Sequence, residues 1–230
     1  MDSRKVIKAV PLKSLLSPRD QRKQRKNPYL ALSTKQRLGI AATIAWSVLH
    51  LASSPWLHDD WDQTQMGILL EKTQNGKEIL SQHPCASYVF SAPREAEAGA
   101  GEKFSQFIPN RAVFALGILL IELCISEPLS ELRDGDGTDQ TQGSLFDAYQ
   151  AALSRLDEVY RLAGDAYGYA TERCVKFSFE GRDVWNDFEF ETFRKQFYGV
   201  VVAPVQVTYL MLPDSQWSAY DGECRESCER

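Results

Sequence analysis

Residues 112–125 read AVFALGILLIELCI and contain a single charged side chain, that of Glu122. A helix that is apolar on every side lies either inside a packed protein or in a membrane. A membrane span needs about 20 apolar residues, and this stretch has fourteen residues in all. We therefore predict a buried helix from about Asn110 to Ser126, at the centre of a helical domain.

The segments around this helix carry mainly helical patterns. Ser33 and Gln36 have the spacing of a capping box, which opens a helix that ends near Ala52. Two short apolar runs flank Asn75-Gly76, a pattern typical of a small β-hairpin. The fold class predicted from the sequence is thus mainly α with one small hairpin. Further helices are predicted at 144–162, 165–176 and 187–202.

Charge is distributed unevenly along the chain. Residues 1–27 hold nine Lys or Arg and two Asp, a net charge of +7, although the whole chain carries −5. The arm is compatible with a linker, nuclear import or attachment to an acidic surface. The acidic remainder argues against a DNA-reading domain, so nucleic acid is expected to contact the arm if it binds at all. We predict a basic, disordered arm over 1–31, a helical domain over 32–205 and an irregular tail over 206–230.

The cysteines and the hydropathy pattern predict an intracellular protein. The number of cysteines is odd and their spacing is wide, which is typical of reduced thiols rather than of a disulfide framework. No segment resembles a signal peptide or a membrane span. We therefore expect a location in the cytoplasm or nucleus, and the oligomeric state stays open. The five cysteines are Cys85, Cys124, Cys174, Cys224 and Cys228.

The order of these elements resembles the C-terminal lobe of a protein kinase. In kinases a long helix leads into a His-Arg-Asp turn, then a short hairpin and then a wholly buried helix. Here the turn reads His58-Asp59-Asp60, and residues 113–123, VFALGILLIEL, are similar to the kinase pattern Val-Tyr-Ser-Phe-Gly-Val-Leu-Leu-Leu-Glu-Leu. The resemblance implies a degenerate, kinase-C-lobe-like helical domain with a small hairpin and no N-lobe.

A closer resemblance is to a family of uncharacterised fungal proteins with a degenerate kinase-like domain. In that family the domain sometimes follows a HeLo-type helical N-terminal domain linked to prion formation and cell death. The residues that carry the resemblance are Ser54-Pro55-Trp56-Leu57, the pair Trp61-Asp62 and the helix at 114–124. It covers about residues 32–205 and implies a regulatory or signalling context.

The groups that a kinase needs for phosphoryl transfer are missing at the matching positions. Ser81–Cys85 stand where Asp-Phe-Gly would hold magnesium, and Ala112 replaces the Asp that starts the buried helix. No Asn follows Asp60 at the metal position. Phosphoryl transfer depends almost wholly on positioning and charge neutralisation. We therefore expect no enzyme activity, no catalytic residue, no cofactor and no metal.

Three hypotheses for the function remain. The first is a non-catalytic protein-interaction and regulatory domain on a pseudokinase-like remnant, with a protein partner that the sequence does not identify. The second is an enzyme with a repurposed cleft around His58, Asp59 and Asp60, and the third is a truncated gene product without independent function. For the first hypothesis, the aromatic excess between residues 177 and 198 predicts an exposed apolar patch that docks the partner. Its aromatic residues are Phe179, Trp185, Phe188, Phe190, Phe193 and Phe197.

Overall fold

The structure is a computed structural model that describes residues 5–16, 31–52, 54, 57, 66–74, 76, 78–86, 108–129, 145–181 and 187–213. In this part of the chain the fold is mainly α with a small three-stranded antiparallel sheet, which confirms the predicted fold class. No helix within these ranges is both long enough and apolar enough to cross a membrane. The elements in chain order are β1 (Lys5–Pro11), α1 (Leu12–Leu16), α2 (Thr34–Leu51), β2 (Met66–Lys72), β3 (Glu78–Ala86), α3 (Arg111–Ile125), α4 (Leu145–Lys176), α5 (Glu191–Phe197), a π-helical turn (Tyr198–Val202) and α6 (Ala203–Met211).

The central helix α3 lies where the sequence predicted it. The side chain of Asn110 accepts a hydrogen bond from the backbone N–H of Val113 at 3.0 Å, which caps the first turn. The helix ends at Ser126, which adopts the left-handed conformation with φ 62°. Eleven of its fifteen residues are buried, so α3 is the core around which α2 and α4 pack.

The only charged side chain among the eleven buried residues of α3 is that of Glu122, which is 1 % exposed. Its Oε1 accepts a hydrogen bond from the backbone N–H of Leu129 at 2.8 Å. A buried carboxylate is costly unless it is hydrogen-bonded. Glu122 therefore fixes the turn that follows the helix and explains the one polar interruption of the apolar run.

Helix α2 begins with the predicted capping box. The Ser33 hydroxyl accepts from the backbone N–H of Gln36 at 3.2 Å, and the Gln36 side chain accepts from the backbone N–H of Ser33 at 2.9 Å. The helix then runs to Leu51, one residue before the predicted end. The sequence pattern was sufficient here because a capping box is a local, reciprocal interaction.

A glycine divides α4 into the two helices that the sequence predicted. Gly164 has φ 81° and ψ 175°, a conformation that is open to glycine and strained for other residues. Three residues after Gly164, the side chain of Tyr167 is fully buried. Its hydroxyl donates a hydrogen bond to the backbone carbonyl of Leu120 at 2.9 Å. That bond ties the second half of α4 to α3.

Residues 5–16 are folded, so the prediction of a disordered arm over 1–31 is wrong for this part. Strand β1 pairs antiparallel with β2 and adds a third strand to the predicted hairpin of β2 and β3. Helix α1 buries Leu12, Leu15 and Leu16 in the core. Pro11 is the last residue of β1 and directly precedes α1, a position where proline is tolerated. The rest of the arm, 1–4 and 17–30, lies outside the described residues.

We expect Leu16→Ala to lower the free energy of unfolding by about 2–3 kcal/mol, because the side chain is 1 % exposed and its loss leaves a cavity. Urea denaturation followed by circular dichroism measures the change. Lys13→Ala, in the same short helix but outside the core, is the matched control and leaves the midpoint nearly unchanged. Equal midpoints for Leu16→Ala and the wild type would show that α1 is undocked.

The C-terminal helix is longer than predicted. Helix α6 reaches Met211, so the prediction of an irregular tail from residue 206 is wrong for 206–211. Pro204 does not end the helical region, since it is the second residue of α6 and directly follows the π-helical turn. Residues 214–230 lie outside the described part of the chain.

Candidate binding groove

The aromatic residues of the predicted docking patch pack against one another. Ring centroids lie 5.0 Å apart for Phe188 and Phe193, 4.9 Å apart for Phe188 and Phe197, and 5.1 Å apart for Phe179 and Phe193. Phe188, Phe193 and Phe197 are at most 3 % exposed. The predicted exposure is therefore wrong for these three residues, because the rings bury one another.

The other members of the predicted patch have different positions. Phe179 and Phe190 are partly buried and pack against the core. Trp185 lies outside the described residues. The described aromatic residues thus form an internal cluster, whose role is to hold α5 in place.

With Phe193 and Phe197 turned inward, α5 presents its polar face outward. That face carries Glu191, Arg194 and Lys195, and Tyr198 continues it into the π-helical turn. The four residues follow the i, i+3, i+4, i+7 spacing of one helical face. Together they form one wall of a groove.

The C-terminal end of α2 forms the opposite wall. Leu49 and His50 complete a cavity of about 480 Å³ with the four residues of the α5 face. Trp46 stacks on His50 with ring centroids 5.3 Å apart and an interplanar angle of 9°. Its Nε1 donates to the side chain of Gln206 in α6 at 3.0 Å. The wall is therefore braced by a hydrogen bond between α2 and α6.

A π-helical turn lies at the end of this groove. The backbone N–H of Ala203 donates to the carbonyl of Tyr198, five residues earlier. The Tyr198 ring is tilted against Trp46, with centroids 5.4 Å apart. Single π turns inside helices are frequently found at functional sites, so this irregularity supports the groove as a candidate site.

Cationic side chains dominate the polar part of the groove. Arg194 and Lys195 face one carboxylate, that of Glu191, and His50 adds an imidazole. Lys195 Nζ lies 2.7 Å from Glu191 Oε1, and this hydrogen bond lowers the pKa of Glu191 below its ordinary value. Both side chains are more than 70 % exposed, so the pair contributes little to stability and Lys195 can turn to a ligand. The groove offers apolar surface beside cations, which suits an apolar group next to a carboxylate.

The residues that line this groove do not form a recognisable motif in the sequence. His58, Asp59 and Asp60, the residues of the predicted cleft, lie outside the described part of the chain, so the enzyme hypothesis stays a prediction. Within the described ranges, no three His, Cys, Asp or Glu side chains are grouped as metal ligands. The signal that could have found the groove is the helical spacing of Glu191, Arg194 and Tyr198.

The family model described as "Domain of unknown function (DUF7580)" matches residues 2–209. Because the match covers most of the chain, the protein belongs to this family. The matched region includes β1 and α1, which agrees with the packing of these two elements against the rest of the fold. No curated protein and no solved structure matches the chain.

Proposed function

We propose that this protein is a non-catalytic interaction and regulatory domain whose groove between α2 and α5 receives an acidic segment of a partner protein. The observation that carries the proposal is the composition of the groove. Arg194 and Lys195 stand beside the apolar surface of Leu49 and Tyr198, in a cavity of about 480 Å³. A carboxylate of the partner contacts the cations while a neighbouring apolar side chain fills the space between the two walls.

The contacts that hold the two walls of the groove in place support this function. Phe193 and Phe197 are buried and anchor α5, and Trp46 is held by Gln206. Because both walls are fixed before the partner arrives, binding loses little further conformational entropy in the domain. Helix α5 has seven residues and continues through the π-helical turn into α6.

We also propose that the scaffold is a remnant of a kinase-like C-lobe, as in the fungal family that the sequence resembles. The order of α2, the hairpin of β2 and β3, and the buried helix α3 supports this origin. A regulatory role in signalling follows from the resemblance and is part of the proposal.

The cytoplasm or nucleus is the location that we propose. Cys124 and Cys174 are buried and unpaired. Burial raises the pKa of Cys124 to about 11 and that of Cys174 well above its ordinary value, so both are protonated thiols. Reduced, packed cysteines are typical of intracellular proteins.

We expect Arg194→Glu/Lys195→Glu to weaken acidic peptide binding at least tenfold, because the reversed charges repel carboxylates. The full-length protein is used to select peptides from a random twelve-residue library. The selected peptides are expected to be acidic with an apolar or aromatic neighbour, and their affinity is measured by fluorescence anisotropy against both proteins.

Arg161→Glu is the matched control, since Arg161 is a 75 % exposed cation of α4 outside the groove. This variant is expected to bind the selected peptides as the wild type does. Selection of peptides without acidic residues, or equal affinity for the groove variant and the wild type, would overturn the proposed function.

A further inference from the structure

Strand β1 leaves one edge of the sheet open. The strand order is β1-β2-β3, so in the described part of the chain β1 has a strand neighbour on one side only. Six of its seven residues are exposed, including Val6 at 51 % and Ile7 at 44 %. An open edge presents unpaired backbone N–H and C=O groups, to which another chain can add a strand.

A β-bulge places two lysines on the same face of this edge. The register pairs Lys5 with Lys72 and Lys8 with Leu70, and it shifts by one residue at Ile7. Since Lys72 and Leu70 are alternate residues of β2, their partners Lys5 and Lys8 share one face of the sheet. Without the bulge, two residues three apart would lie on opposite faces.

The opposite face of β1 is apolar. Val6 and Ala9 are paired with Glu71 and Leu69, the intervening residues of β2. If another strand paired with the open edge of β1, every second residue of that strand would lie on the same face as Lys5 and Lys8. Its remaining residues would lie beside Val6 and Ala9.

We propose that β1 recruits an extended acidic segment of a partner protein as a fourth strand of the sheet. The segment alternates carboxylate and apolar residues, with the carboxylates beside Lys5 and Lys8. Charge complementarity supports this occupant, because opposite charges on neighbouring strands are stabilising. The basic sequence around the strand, a net +7 over residues 1–27, raises the association rate of an acidic partner.

The same lysines disfavour a second copy of this chain. Pairing β1 with β1 of another copy would add two more lysines to the edge, and edge lysines are a common device against self-association. Within the sheet, Lys5 already lies opposite Lys72 of β2. Lys72 is in turn paired with Glu78 of β3, whose negative charge offsets that of Lys72. A carboxylate on an added strand would offset the positive charge of Lys5 in the same way.

The probe for this proposal is a blocked octapeptide of alternating glutamate and valine. It is titrated by fluorescence anisotropy into the full-length protein carrying Arg194→Glu/Lys195→Glu, so that the groove does not compete with β1 for the peptide. We expect Lys5→Glu/Lys8→Glu to weaken its binding at least tenfold and Lys5→Gln/Lys8→Gln to weaken it less. Arg161→Glu is expected to bind like the wild type. Bound peptide is expected to slow hydrogen exchange of the β1 amides, and N-methylation of alternate peptide residues is expected to abolish both effects.

Several results would overturn the proposal. Equal binding by the charge-reversed protein, or equal binding of a lysine–valine octapeptide, would remove the role of the lysines. Slow exchange of β1 amides that depends on protein concentration without peptide would identify a second copy as the occupant. Slow exchange at every concentration would identify a segment of the chain itself. Because exchange is read at β1, a failed result here leaves the groove proposal standing.

Discussion

Phe197→Ala is expected to lower the free energy of unfolding by about 3–5 kcal/mol, the range for deleting a buried aromatic ring. Phe197 is fully buried, and its ring lies 4.9 Å from that of Phe188 and 6.1 Å from that of Phe193. The melting temperature falls on the order of 10 °C for a protein of this size. Because the ring also anchors α5, the variant loses affinity for the acidic peptides that bind the groove.

The neighbouring residue supplies the matched control. Tyr198 is 43 % exposed and contacts Trp46 at the end of the groove, so Tyr198→Ala is expected to cost about 1 kcal/mol. It should weaken peptide binding while leaving the fold intact. Differential scanning calorimetry and anisotropy separate the two effects. A cost below about 1 kcal/mol for Phe197→Ala would mean that the aromatic cluster is not packed as described.

Gly117→Leu is expected to destabilise the protein by about 3 kcal/mol through overpacking. At Gly117, α3 lies in close contact with the C-terminal end of α4. A Cβ atom there would lie 2.9 Å from Val175 Cγ2, 3.0 Å from the backbone nitrogen of Val175 and 3.1 Å from Cys174 Cβ. Since one of these atoms is backbone, the helices must move apart. Gly117→Ala is expected to cost less, about 1–2 kcal/mol, because the gain in helix propensity offsets part of the clash.

Gly199→Ala controls for the loss of glycine itself. A Cβ at Gly199 meets nothing within 4 Å, so this substitution is expected to be neutral or slightly stabilising. Urea denaturation of the three glycine variants gives the comparison. A neutral Gly117→Leu would show that α3 and α4 are further apart than the structure places them. A single cooperative transition in the wild type would also argue against a truncated product that cannot fold alone.

Local signals in the sequence were sufficient for several elements. The run from 112 to 125 is apolar on all sides, so burial was the only outcome open to a helix too short for a membrane, and α3 is that helix. The capping box at Ser33 acts within one turn and predicted the start of α2. Asn75-Gly76 between two apolar runs predicted the hairpin of β2 and β3. Each of these signals is complete within a few residues.

For the aromatic segment between residues 177 and 198, local signals were not sufficient to predict which side chains are buried. Phe188, Phe193 and Phe197 have the same apolar pattern whether they cover a core or wait for a partner, because hydrophobic periodicity reports which residues avoid water and not what covers them. Packing within the chain decided the matter and buried all three. The polar face of α5 became a wall of the groove only because α2 ends beside it.

The sequence alone determined the central helix, the helical class of the fold and the hairpin, since these depend on composition and on contacts between near neighbours. The tertiary structure alone decided that residues 5–16 join the sheet and the core. It also decided which aromatic residues are buried, and that α2 and α5 enclose a cationic groove. The sheet and the groove depend on contacts between residues far apart in the chain, such as Lys5 with Lys72 and Trp46 with Gln206, and no local pattern encodes which distant surfaces meet.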